Sequence, residues 1–406
     1  YCGESSFEKA ERVLLGDAVD LTLRKAGKGV QDIDLLVGGD LINQLTSSHY
    51  FAKDLEVPFL GMYGACSTSS LVIGTGAVWV EHGLARQVLA FTSSHVATAE
   101  RQFRFPNEYG IQKKETTTST VTGAGAALLS NEKSNIRVAA FTPGRIVDWD
   151  HKDANDMGLA MAPAAYDTIP QHLKDMHREL KDYDMIVTGD LSKIGFSFLV
   201  DLMNQEGYDI DNRLHDCGLM IYDFEHQDIF CGGSGCACSM CVSMAKLLKK
   251  LEDGECSRIM VVATGALLSP VAVAQKGTIP CIAHAIVCEM MTFISAFVVC
   301  GGICLAGQLI YDNTKLTAGH ITSIFVVIGA ALDTFGWYDK LLEFAGMGAS
   351  LPITSFGHSL IHGALAKAQS DGVMGILLGM FDLTAAGITS AILFAFLAAL
   401  VFRAKS

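Results

Sequence analysis

Cys66 stands in Gly64-Ala65-Cys66-Ser67-Thr68-Ser69-Ser70, a run of small residues. The apolar run Val57-Pro58-Phe59-Leu60 leads in, and an apolar-periodic segment from Leu71 to Val80 leads out. That order reads as strand, tight turn and helix, with the thiol at the helix N-terminus. Unpaired backbone N–H groups and the positive end of the helix dipole lower a thiol's pKa there and favour a bound anion. The chemistry on offer is a nucleophilic thiolate or an anion pocket. A small buried residue in a packed corner accounts for the same stretch equally well.

The elements that would hold this turn are those of an α/β chain. Residues 7–26 carry apolar side chains at helical spacing and end at Gly27. Asp34-Leu35-Leu36-Val37-Gly38-Gly39-Asp40-Leu41 reads as a short buried strand, and Gln87-Val88-Leu89-Ala90-Phe91-Thr92-Ser93-Ser94-His95 as another that ends in small polar residues. A polar loop follows over residues 100–115, with Arg101, Arg104 and Tyr109. Residues 124–129 and 136–141 read as a hairpin. Strands alternating with helices predict an α/β fold.

The second part repeats the first. Tyr183-Asp184-Met185-Ile186-Val187-Thr188-Gly189-Asp190-Leu191 matches Ile33-Asp34-Leu35-Leu36-Val37-Gly38-Gly39-Asp40-Leu41. Gly235-Cys236-Ala237-Cys238-Ser239 matches Gly64-Ala65-Cys66-Ser67-Thr68. Each turn is followed by a helix, a glycine (Gly83, Gly254) and a strand ending in small polar residues. The spacing is too long for a solenoid and implies duplication of one α/β unit.

Charge separates two regions. Residues 1–290 hold 25 Lys+Arg against 37 Asp+Glu, whereas residues 291–406 hold 5 against 6. The first region is acidic and soluble in character; the second is nearly uncharged. An acidic surface without a basic stripe argues against nucleic-acid binding. The 12 cysteines lack the spacing of a small secreted scaffold and read as reduced and intracellular. The chain begins at Tyr1, so an N-terminal piece is expected to be absent.

Two halves with a cysteine at a strand-to-helix turn resemble the thiolase superfamily. Within it, the motifs are most similar to the stage V sporulation AD family: Gly64-Ala65-Cys66-Ser67, Ala99-Glu100-Arg101-Gln102-Phe103-Arg104, Val187-Thr188-Gly189-Asp190-Leu191, Asp216-Cys217-Gly218, Gly232-Gly233-Ser234-Gly235-Cys236 and Ile279-Pro280-Cys281-Ile282-Ala283-His284. The resemblance covers residues 1–289, with halves of about 1–145 and 146–289. It implies a thiolase-like αβαβα fold whose first strand and helix are lost before Tyr1, a site between the halves, and a homodimer.

Condensing enzymes of that superfamily carry a histidine after the first strand of the second half and an asparagine or histidine in the later Gly-rich turn. Here those places read Thr188-Gly189-Asp190 and Gly232-Gly233-Ser234-Gly235. Neither offers an imidazole or an amide, and an acidic group such as Asp190 raises a nearby thiol's pKa. The resemblance therefore implies a retired active site that binds dipicolinic acid, as the dianion or its calcium chelate. Suitable residues are Cys66, Ser94, His95, Arg101, Asp190, Gly233, Ser234 and His284. The alternative is an acyl-transfer enzyme with Cys66 as nucleophile. No cofactor is expected. Cys231, Cys236, Cys238 and Cys241 crowd one Gly-rich turn and read as packing, not as a metal site. Residues 122–127 do not match a phosphate loop and read as a close-packed strand.

Residues 292–311 and 383–402 are each 20 residues without a formal charge, long enough to cross a bilayer, and 316–332 is a shorter candidate. One or both of residues 346–366, broken by Pro352, and 373–381 are expected to be re-entrant. His358 and His362 lie one helical turn apart but lack a third ligand in the local sequence, so they read as an interfacial or path-lining face. Asp333 and Asp382 read as helix caps. Ile310-Tyr311-Asp312-Asn313-Thr314-Lys315-Leu316-Thr317 and Phe344-Ala345-Gly346-Met347-Gly348-Ala349 resemble the stage V sporulation AE family of membrane proteins. The whole chain then implies a thiolase-like domain followed by an all-α transmembrane domain over 291–406. Its place would be the spore inner membrane, with the other membrane subunits of the stage V A operon, in dipicolinate uptake and release.

Overall fold

The computed structural model describes residues 2–104, 113–132, 134–210, 212–290 and 293–380. The chain divides into two compact units, Tyr1–Met291 and Thr292–Ser406.

In the first unit the strands are β1 (Leu35–Gly39), β2 (Phe59–Gly61), β3 (Gln87–Ser94), β4 (Ser119–Thr120), β5 (Gly123–Ser130), β6 (Ile136–Thr142), β7 (Met185–Thr188), β8 (Leu214–Asp216), β9 (Gly233–Ser234), β10 (Arg258–Ala266) and β11 (Cys281–Met290). One sheet runs β2-β1-β3-β5 and the other β8-β7-β10-β11-β6. In each, the first three strands are parallel and the fourth is antiparallel. The four strands of the first sheet repeat the order and directions of β8-β7-β10-β11, with β6 an additional edge strand, which is the duplication in three dimensions.

Alternation along the strands builds the layers. Leu35, Val37, Val88 and Ala90 face the same core as Met185, Val187, Ile259 and Val261. Their neighbours Leu36, Leu89 and Phe91 face away, toward Leu15, Val19 and Leu23 of the helix Phe7–Ala26. On the far side Ile186, Met260 and Val262 meet Met161, Ile169 and Leu199 of the helices Met157–Asp175 and Ser192–Gln205. Between the sheets lie the helices Thr68–Glu81 and Cys236–Val242. The result is the αβαβα stack. Both faces of each sheet are covered, so the central strands are apolar throughout. Each fully buried Leu, Val or Ile contributes roughly 1.5–3 kcal/mol.

The expected hairpin does not form. β5 pairs with β3 in one sheet and β6 with β11 in the other, so the segment between them crosses from one half to the other. Each strand finds a longer antiparallel partner in its own sheet than it could in the other. The glycine-rich β5 is close-packed: a Cβ on Gly125 would come within 2.6 Å of Met240 Cγ.

The second unit is helical. Ser295–Asn313 is long and apolar enough to cross a membrane, and Ala318–Thr334 is a shorter apolar helix. The backbone of residues 346–366 breaks at Pro352. They hold the helix Met347–Ser350 and the start of the helix Thr354–Gly379, with Pro352 in the turn between. A proline is tolerated there because the first N–H groups of a helix have no partner within it. The chain doubles back at Gly372 (φ 62°), so that a Cβ on Gly379 would sit 2.2 Å from the Gly363 carbonyl. The segment 383–402 and Asp382 lie outside the described residues.

Candidate functional site

The site gathers at the carboxyl ends of parallel strands, where ligands bind in open α/β sheets. After β2 the chain turns sharply through Ala65, which takes a left-handed φ of 51°. The turn is held from within. Ser67 Oγ donates to the Gly64 carbonyl at 2.6 Å, and Thr68 Oγ to that of Ala65 at 2.7 Å. The end of β10 lies against it, so a Cβ on Gly265 would meet the Gly64 oxygen at 2.3 Å. Such strain at a non-glycine residue persists only where its surroundings fix it.

The turn leaves Cys66 half-buried, with Sγ 3.7 Å from the Ser234 hydroxyl of β9. Ser234 donates to Asp190 Oδ2 at 2.8 Å, the Gly235 N–H reaches the same oxygen at 2.9 Å, and Thr264 donates to Oδ1 at 2.8 Å. Asp190 is thus buried beneath the serine with both oxygens engaged. Its counterpart in the first half, Asp40, instead accepts the Ile42 and Ser48 N–H groups and holds its own loop.

Electrostatics overturn the simplest expectation for this thiol. Burial pushes the Cys66 pKa well above its ordinary value, and the charge on Asp190 pushes it further, against smaller help from Ser234 and the Gly235 N–H. Burial also raises the Asp190 carboxyl, while the hydrogen bonds to it pull the other way. The helix end alone would lower the thiol, but desolvation and a carboxylate outweigh it.

The cavity above Cys66 is open to solvent and leaves about 40 Å³ in which the centre of a water-sized sphere can move. Its walls are apolar (Leu41, Phe103, Met157, Leu268) and its polar atoms come from Tyr63, Arg104, Thr120 and Ser234. Arg104 is the residue the sequence reading passed over in favour of Arg101. Its Nη2 bonds Glu100 at 2.6 Å, while Nη1 is buried with no hydrogen-bond partner among the described residues.

The structure brings Cys66, Asp190 and Ser234 together and sets the other candidates apart. Arg101 pairs with Glu8 and is half-exposed. His95 caps the helix Val96–Phe103, its Nδ1 accepting the Ala97 N–H at 3.1 Å. His284 on β11 accepts the Gly144 N–H at 3.2 Å, and burial pushes its pKa down to about 4. Ser94 lies behind the Gly235 turn, donating to the Val121 carbonyl at 2.7 Å and accepting the Ala237 N–H. Gly233 pairs with Ser119 in the short β4–β9 ladder that joins the halves. The thiols of Cys236, Cys238 and Cys241 each donate to a backbone carbonyl, of Ser93, Gly189 and Ala124, and Cys231 is buried.

Residues 1–289 match the family model "Stage V sporulation protein AD", and residues 292–401 match "SpoVAC/SpoVAEB sporulation membrane protein". Stage V sporulation protein AD of Bacillus subtilis (strain 168) is 50% identical over 289 residues, covering 71% of this chain and 85% of that protein. Stage V sporulation protein AC of the same organism is 36% identical over 98 residues, 22% of this chain and 65% of that protein, a little under two thirds of its length. Among solved structures, 3-oxoacyl-[acyl-carrier-protein] synthase III from Aquifex aeolicus VF5 is similar at 12% identity and a TM-score of 0.47, over 70% of this chain and 85% of that one. Human mitochondrial 3-ketoacyl-CoA thiolase is similar at 13% identity and a TM-score of 0.46, over 70% and 93%.

Proposed function

We propose that this chain, which belongs to the stage V sporulation protein AD family, serves sporulation by holding dipicolinate in the Cys66 cavity and not by turning over a thioester. The observation that carries this reading is the make-up of the cavity. No histidine, asparagine or glutamine lines it among the described residues, so the thiol has no imidazole to take its proton and no side-chain amide to hold an oxyanion. What lines it is a guanidinium with a free, buried Nη1, the hydroxyl residues Tyr63, Thr120 and Ser234, and apolar walls. A planar aromatic dicarboxylate suits that set: one carboxylate on Arg104, a hydroxyl donor from Thr120, the ring against Phe103 and Met157. Asp190 then acts by fixing Ser234, not by touching the ligand. The helical second unit, similar to sporulation membrane proteins, would place this cavity at the spore inner membrane beside other stage V A-operon subunits. There it would take part in dipicolinate uptake and release.

Calorimetric titration of the full chain in detergent with dipicolinate tests the cavity. Binding that weakens by about tenfold or more in Arg104→Ala, as expected for loss of a charge-assisted bond, supports it. An unchanged isotherm, or no heat with the wild-type chain, sinks it.

One observation favours the acyl-transfer alternative. The strained Ala65 turn presents Cys66 to the cavity as a nucleophile would be presented. Incubation with an acyl-CoA followed by mass spectrometry decides: a lasting adduct on Cys66 supports transfer, and an unmodified Cys66 peptide rules it out.

A further inference from the structure

In the helical unit, two close helix contacts converge on a group of side chains that the family comparisons do not account for. Gly329 and Gly357 let the helices Ala318–Thr334 and Thr354–Gly379 touch backbone to backbone. A Cβ on Gly329 would lie 1.8 Å from the Thr354 carbonyl, and one on Gly357 1.9 Å from that of Val326. One turn beyond Gly329 stands Asp333, buried; one residue beyond Gly357 stands His358. His358 Nδ1 lies 2.6 Å from Asp333 Oδ1. His362, the next turn along, brings its Nδ1 to 3.6 Å from the same oxygen. Asp339, in the first turn of the helix Trp337–Ala345, lies 3.9 Å from His358 Nδ1. One ligand atom from each of the four residues falls within 4.8 Å of the others.

We propose that Asp333, Asp339, His358 and His362 form a binding site for a divalent transition ion of the zinc class. Two imidazoles and two carboxylates are a donor set for such an ion. Ligands at about 2.1 Å around a tetrahedral ion stand roughly 3.4 Å apart, close to the 3.6 and 3.9 Å separations seen here. The shorter 2.6 Å contact is a hydrogen bond, and the proton it shares passes to solvent when the ion binds. A simple aspartate–histidine pair would need neither His362 nor Asp339. The surroundings also fit a ligand set. The His358 ring stacks on Tyr338 at 4.9 Å, and the buried Tyr338 hydroxyl is held by the Ala349 carbonyl and Thr354 Oγ. The imidazole is therefore oriented by packing before an ion arrives. The ion would pin three helices that sequence alone does not join.

The test is equilibrium dialysis of the full chain in detergent against Zn²⁺, repeated with Co²⁺ to read the ligand field from its visible absorption. The wild-type chain is expected to hold about one ion more than Asp333→Asn/His358→Gln, with Co²⁺ bands of a nitrogen–oxygen tetrahedral site. His320→Gln, at the far end of the Ala318–Thr334 helix, is expected to bind like wild type. Should the double variant lose helix content by circular dichroism, His362→Gln decides. Its side chain is 38% exposed, so its loss leaves the packing intact, and affinity should fall by more than about tenfold. Equal ion content in wild type and a folded double variant, or unchanged affinity in His362→Gln, overturns the proposal.

Discussion

The buried hydroxyls of Ser69 and Ser239 share a hydrogen bond at 2.6 Å, and each lies three residues after the cysteine of its own strand-to-helix turn, Cys66 or Cys236. The bond ties the helix Thr68–Glu81 of the first half to the helix Cys236–Val242 of the second. The two cysteines then diverge. Cys236 donates its thiol to the Ser93 carbonyl at 2.9 Å, while Cys66 faces the cavity.

Removing one serine should therefore cost more than half the cost of removing both. Ser69→Ala leaves the Ser239 hydroxyl buried and unpaired, which costs about 1–3 kcal/mol. In Ser69→Ala/Ser239→Ala nothing is left unpaired, and the cost should be smaller than the sum of the single variants. Native-state hydrogen exchange of amides in the helix Thr68–Glu81 reads this. Additive losses would show that the two hydroxyls do not depend on each other.

The raised Cys66 pKa makes a statement about reactivity. At pH 7 to 8 the thiol should alkylate slowly with iodoacetamide compared with the exposed Cys2. Asp190→Asn removes the neighbouring negative charge while an amide oxygen can still accept the Gly235 N–H. Its Cys66 should react several-fold faster, since each unit of pKa is a factor of about ten in thiolate. Peptide mass spectrometry over time measures both rates; a Cys66 as fast as Cys2 in the wild type contradicts the assignment.

How much of this was legible in sequence follows from where each signal resides. The duplicated halves were visible because short strands buried on both faces leave apolar runs, and the turns recur in the same order. Cys66 and Asp190 were legible because each lies in the turn after a strand, and Ser234 because it ends one. Arg101 and Arg104 could not be told apart, since residues three apart on a helix share a face, and only the departure of Arg104 from the helix as its cap sends the two side chains different ways. The Glu100–Arg104 spacing, one helical turn, was the available clue. The hairpin failed because alternation shows that a segment is a strand and not which sheet it joins. For His358 the missing partner, Asp333, is 25 residues upstream, brought in by two glycines whose contact no local pattern announces.

Glu11 should make the α/β unit less stable as pH rises. Burial, with the charge on Asp40 adding, raises its carboxyl to about 7, against hydrogen bonds from Ser93 and Thr98. The folded state therefore keeps a proton that the unfolded chain loses near pH 4.5. This contribution is complete below pH 4.5 and is lost as pH climbs to about 7. Glu11→Gln can keep both hydroxyl contacts and never ionises. It should match the wild type near pH 4.5 and exceed it at pH 8, by up to about 3 kcal/mol if the shift is fully expressed. Hydrogen exchange of the helix Phe7–Ala26 at the two pH values gives the comparison, and a variant less stable at pH 8 would refute the protonated carboxyl.

The glycines of the helical unit should not be equivalent. A Cβ on Gly357 meets the Val326 carbonyl at 1.9 Å, whereas one on Gly301 or Gly302 meets nothing within 4 Å. Backbone cannot move aside as a side-chain tip can, so Gly357→Ala must separate the two helices, at a cost of about 1–3 kcal/mol. Gly301→Ala adds a methyl group to an open helix face and should be neutral or stabilising by up to about 1 kcal/mol. Because Asp333 and His358 are carried by the helices that Gly357 joins, Gly357→Ala should also lower Zn²⁺ retention while Gly301→Ala leaves it unchanged. Thermal melts followed by circular dichroism in detergent, with ion content measured on the same samples, separate the cases. Equal tolerance at both positions would mean that the backbone contact does not set the spacing of these helices.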